Sequence, residues 1–125
     1  MTRAAFMLLH AMLALAFGIA FVLAPASVLG LYGVTTDPAG TFMARLWGAA
    51  AIQVGLTAWL ARKDIDTPAR RAVQLGNAGG LAVGFVIALL GQVGGLFNTL
   101  GWSTVLLFLL LCVGYGYFHT RPSAA

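Results

Sequence analysis

Residues 62–71 read Arg62-Lys63-Asp64-Ile65-Asp66-Thr67-Pro68-Ala69-Arg70-Arg71. Four positive charges crowd this one segment, in a chain with only seven basic and three acidic residues in all. On either side lie apolar runs, 42–61 before it and 72–91 after it. At about 1.5 Å per residue, each run is long enough to cross a hydrocarbon core roughly 30 Å thick. The segment therefore reads as a short basic loop between two transmembrane helices. That reading sets the fold class as an all-α, polytopic membrane protein.

Working outward, Thr67 before Pro68 has the form of a helix cap with proline at the first helical position, so the helix after the loop opens inside it. Asp37 before Pro38 carries the same signal for the helix that precedes the loop. A further apolar run, 4–24, lies upstream and is stopped by Pro25; a loop with Leu31, Tyr32 and Gly33 follows. Arg3, this run and the small residues Ala24 and Ala26 also have the form of a secretory signal. We read the run as a retained span. Downstream, Gln92 to Gly101 is an uncharged turn region, 102–118 is a fourth apolar run, and the chain closes with His119, Arg121 and Pro122. The expectation is a single four-transmembrane-helix bundle over residues 1–125, with spans at about 4–24, 42–61, 72–91 and 102–118.

Composition agrees. Of the 125 residues 61% are hydrophobic and 8% charged, too apolar for one soluble domain to keep out of water. The net charge of +4 would suit nucleic acid in a soluble protein, but here the basic residues sit at the ends of apolar runs, where they act as topology signals. Arg3, the central loop and Arg121 fall on one side, while the opposite loops carry only Asp37. Positive residues are retained in the cytoplasm, so the expected topology is N-in, C-in, multi-pass, in a bacterial-type inner membrane. Trp59, Tyr115 and Tyr117 fall near the inner boundary of the spans, and Tyr32 and Trp102 near the outer one, as an aromatic belt would place them. The single Cys112 leaves no intrachain disulfide and no cysteine-built zinc site.

Sixteen glycines point to close helix packing. Gly76, Gly80, Gly84 and Ala88, at spacings of four, line one nearly side-chain-free groove into which a neighbouring helix or a second copy could fit. Gly48 and Gly55 are the corresponding packing positions in the second span. Leu15-Ala16-Phe17-Gly18 echoes Leu81-Ala82-Val83-Gly84, a weak sign of a duplicated helical hairpin.

The polar residues inside the spans are the candidates for function. Arg45, followed by Trp47 and Gly48, lies about one turn inside the outer end of the second span; there it either reaches the outer headgroups, near Asp37, or holds an anionic or carbonyl-bearing ligand. Gln53, Gln74, Asn77 and Gln92 can hydrogen-bond between helices, and His10 sits in the inner third of the first span. A haem held by His10 and His119 lacks further ligand geometry. No Asp or Glu lies within a span, which argues against proton-driven export, and the chain shows no catalytic carboxylate pair, Ser-His-Asp set or phosphate-cradling loop.

Helix one, the turn Leu31-Tyr32-Gly33-Val34, the segment Arg45-Leu46-Trp47-Gly48 and Gly55 together resemble the small four-helix DoxX-like bacterial integral membrane proteins. The resemblance implies a four-helix fold that in some relatives is linked to membrane redox or quinone chemistry. The expected function is non-enzymatic: a bundle that binds an apolar ligand, a quinone or lipid, at Arg45, Trp47, Gln53, Asn77, Gln92 and His10, or that serves as a scaffold. The alternatives are an accessory subunit of a larger membrane complex, and an oligomeric channel or transporter. The expected partners are the lipid bilayer and a homo-oligomer or larger complex, with no nucleic acid, no metal and no cofactor evident beyond a bound lipid or quinone.

Overall fold

A computed structural model of the chain describes residues 1–63 and 65–121. Asp64 in the basic loop and Pro122 in the closing segment lie outside the described residues. Among the described residues there are five α-helices and no strand: α1 (Arg3–Leu23), α2 (Pro25–Leu31), α3 (Pro38–Leu60), α4 (Pro68–Val93) and α5 (Gly101–Thr120).

The helix starts follow from local chemistry. Thr2 Oγ1 accepts from Ala5 N at 3.1 Å, Asp37 Oδ1 from Gly40 N at 2.7 Å, and Thr67 Oγ1 from Arg70 N at 3.2 Å. Each satisfies an orphan donor in a first helical turn. Pro38 and Pro68 occupy first helical positions, where the missing N–H is no loss.

Pro25 does more than stop α1. It pushes Ala24 out of helical geometry (φ −140°, ψ 59°) and at once opens the short helix α2. The expected loop is therefore mostly helix, and the chain turns only at Tyr32 and Gly33, where φ of +74° suits glycine.

Two antiparallel pairs make the body. In the α1/α3 pair Gly18 faces Gly48, and Ala11 and Leu15 face Gly55. A methyl placed on Gly48 would stand 2.7 Å from the Gly18 carbonyl oxygen, and one on Gly55 would stand 3.0 Å from that of Ala11. In the α4/α5 pair the Phe108 ring lies over Gly84, and Cys112 Sγ donates to the Ala78 carbonyl at 3.4 Å.

The pairs meet chiefly at their two ends. At one end Phe6 of α1 lies over Gly114 and makes ring contacts with Tyr115 and Phe118 of α5, at 4.9 and 5.3 Å. At the other, Asn98 clasps the α2 turn: its N–H donates to the Tyr32 carbonyl at 2.9 Å and its Nδ2 to the Leu31 carbonyl at 3.0 Å. The buried core of Phe6, Met7, Leu81, Leu111 and Tyr115 sits toward the first end, between α1, α4 and α5.

Helices α1, α4 and α5 are each long and apolar enough to cross a membrane. α3, at 23 residues, is as long, but Arg45 and Gln53 dilute its apolar character. Tyr115 departs from the expected aromatic belt, since it is fully buried rather than interfacial. Trp59 and Tyr117 are exposed, with Arg62 and Arg121 stacked over their rings at 5.1 and 4.7 Å. The groove expected along Gly76, Gly80, Gly84 and Ala88 is not filled as one. Phe108 covers Gly84, while Gly76 and Gly80 have no neighbouring helix atom within 4 Å of where a Cβ would stand.

Candidate functional site

The antiparallel pairing brings three polar side chains to one depth. His10 is seven residues beyond Arg3, Asn77 seven beyond Arg70, and Tyr115 six before Arg121, so each lies about 10 Å along its helix from the basic end. The Tyr115 hydroxyl is 2.7 Å from His10 Nδ1 and accepts from Asn77 Nδ2 at 3.1 Å. One hydroxyl thus joins α1, α4 and α5. A hydroxyl can donate one hydrogen bond while accepting another, so it satisfies both neighbours where water is absent. The His10 and Tyr115 rings meet edge to face at 5.3 Å.

One turn nearer the basic end lies a small cleft of about 20 Å³, room for about one water molecule. Arg3, Arg70, Arg71 and Arg121 line it together with Asp66 and Gln74. Arg70 is almost fully buried, and its Nη2 donates to Asp66 Oδ1 at 2.7 Å; Arg71 adds Nε to Oδ1 at 2.9 Å and Nη2 to Oδ2 at 2.5 Å. The Arg71 hydrogen bonds, with the charges of Arg71, Arg70 and Arg3, hold the Asp66 carboxyl down to about 2 against an opposing desolvation. Arg3 Nη2 donates to the Phe118 and Arg121 carbonyls at 3.1 and 2.9 Å, tying the start of α1 to the end of α5.

The six side chains expected to form one ligand site do not converge. His10 and Asn77 meet through Tyr115, but the others lie apart. Arg45 is exposed toward the far end of α3, and both described ion pairs use Asp66 rather than Asp37. Asp37 caps its own helix. Trp47 sits edge-on to Phe21 at 4.8 Å, and Gln53 is exposed midway along α3. Gln92 donates to the Asn98 carbonyl at 3.2 Å, across the turn between α4 and α5. Among the described residues no group of three His, Cys, Asp or Glu side chains is placed to hold a metal ion.

Sequence reasoning missed Tyr115 as the hub and the meeting of four arginines. Counting residues from each basic helix end would have found the first, because it places His10, Asn77 and Tyr115 level. Comparison with family models, curated proteins and solved structures finds no match to this chain.

Proposed function

We propose that the chain is a four-span protein of a bacterial-type inner membrane, with both termini in the cytoplasm. In this reading it acts without catalysis, as a scaffold that assembles with a second copy of itself. Six of the seven basic residues and two of the three acidic ones belong to the end that carries Arg3, the central loop and Arg121, leaving Arg45 and Asp37 to cancel at the other. This is the charge asymmetry that retains one side in the cytoplasm. α3 crosses with α1 because the glycine seam packs the two along their length.

Gln53 carries the assembly reading. It lies on the face of α3 opposite the Gly48 and Gly55 seam, and it is exposed with no hydrogen bond among the described residues. Bare to hydrocarbon, its amide would lose every water partner. The same amide from a second copy offers both the donor and the acceptor it needs. Gly76 and Gly80 leave a second smooth face on which helices can close.

Native mass spectrometry of the protein released gently from its membrane tests this. An oligomer that dissociates in Gln53→Leu supports it, and a wild-type monomer overturns it. A different chain retained with it would instead mark an accessory subunit of a larger membrane complex, the role that best suits the DoxX-like resemblance and its redox relatives. Solute flux from proteoliposomes would mark an oligomeric channel.

Binding of a quinone or lipid is the second reading, favoured by Arg45, a cation exposed on a spanning helix without an ion pair among the described residues. A discrete bound mass lost in Arg45→Ala would support it.

A further inference from the structure

We propose that two copies of the chain join through one stripe of α3, made by Met43, Leu46, Ala50, Gln53, Thr57 and Leu60. The two α3 helices run parallel, about a two-fold axis along the membrane normal. This inference rests on the four-span and self-assembly readings and specifies the contact between the copies.

All six side chains are exposed. They recur at steps of three and four residues, the spacing that keeps one stripe on each of two helices in contact as they wind past each other. At about 100° per residue the stripe lies opposite Gly48 and Gly55, so the packing of α3 on α1 leaves it bare.

Polar chemistry selects this stripe among the exposed faces of α3. Thr57 Oγ1 is satisfied within its own helix, donating to the Val54 carbonyl at 3.0 Å. Gln53 has no such bond among the described residues, and its amide is self-complementary. In parallel copies Gln53 meets Gln53, and each side-chain carbonyl accepts from the other's Nε2. A single polar residue in such a stripe also fixes the register, because any slip along the axis parts the pair. Ala50 and Thr57, about one turn to either side, are small enough to let the backbones approach to the distance the amides need. Arg45 is the one charged residue of α3, and it lies about a third of a turn from the centre of the stripe. Like charges are therefore kept apart.

The test is disulfide cross-linking of the full chain in its membrane, in a Cys112→Ser background. Ala50→Cys and Thr57→Cys lie on the stripe, while Ala49→Cys and Leu56→Cys lie at matching depths beside it. A disulfide needs Cα atoms within about 7 Å, so the first two are expected to give dimers at least about tenfold faster than the second two. Adding Gln53→Leu is expected to slow Thr57→Cys to the rate of Leu56→Cys. Equal rates at the four positions, or faster ones beside the stripe, overturn the proposal. Where native mass spectrometry still shows an oligomer, self-assembly stands. Faster dimers from Gly80→Cys would also overturn the stripe and put the contact on α4. A monomer in the mass spectrum removes both readings.

Discussion

The hydroxyl of Tyr115 stands 2.7 Å from His10 Nδ1, although the two residues are 105 positions apart in the chain. Asn77 reaches the same oxygen from a third helix. Here α1 is joined to α4 and α5 through one shared hydroxyl. Removing the hydroxyl tests the joint. Tyr115→Phe keeps the ring and its contact with Phe6 but strips the partner from buried His10 and half-buried Asn77. A loss of about 1–3 kcal/mol is expected. Unfolding in mixed micelles measures it, and a variant as stable as the parent would show that the hydroxyl joins nothing.

The two kinds of glycine surface should respond oppositely. Gly48→Ala sets a methyl against the Gly18 carbonyl, a backbone atom that cannot swing aside, and should cost about 1–3 kcal/mol by overpacking. Gly80→Ala meets open space and gains helix propensity of at most about 1 kcal/mol. Thermal unfolding of the two variants side by side, each carrying Gln53→Leu to separate the copies, checks this, and the idea fails if Gly48→Ala is the better tolerated.

Asn98 acts at the opposite end from the basic cleft. Besides the two bonds that clasp the α2 turn, its Oδ1 accepts from Leu100 N at 3.0 Å. Asn98→Ala should speed amide hydrogen exchange at Tyr32 to Val34 and through the turn before α5, while leaving Phe6 to His10 protected. Uniform loss of protection along α1 would instead mean that the two ends are coupled.

Acid should leave the loop pair intact over an unusual range. The folded Asp66 carboxyl is depressed from the ordinary 3.8 to about 2 by its hydrogen bonds to Arg71. The sign for a depressed carboxyl is that its contribution is present above the unfolded value and is lost as pH falls through the folded one. Carboxyl ¹³C shifts should therefore place the Asp66 transition near 2. A transition near 4, about that of a free carboxylate, would show that Arg71 does not hold it in solution.

Much of this architecture is written in local chemistry. The loop 62–71, the proline-opened helices after Asp37 and Thr67, and four apolar runs depend only on neighbours in the chain, and the helices stand within a few residues of the expected runs. α2 was hidden because Pro25 can end one helix or begin another, and only the geometry of Ala24 shows that it does both. The candidate site was less legible. Arg45, Gln53 and Gln92 were read by residue type, and type does not say which way a helix face points.

The sequence by itself determined that the chain is helical and apolar, and which ends of its helices carry charge, because length, capping and composition act over a few residues. Only the tertiary structure decided which helices pair, that Gly48 and Gly55 lie in a seam while Gly76 and Gly80 stand open, and that Tyr115 is buried with His10 and Asn77. It also gathered Arg3, Arg70, Arg71 and Arg121 around one cleft. The physical reason is rotation about the helix axis. In lipid nearly every face of such helices is apolar enough to point outward, so hydrophobic pattern does not set the rotation. Close backbone approach at glycine and satisfaction of a few buried polar groups do.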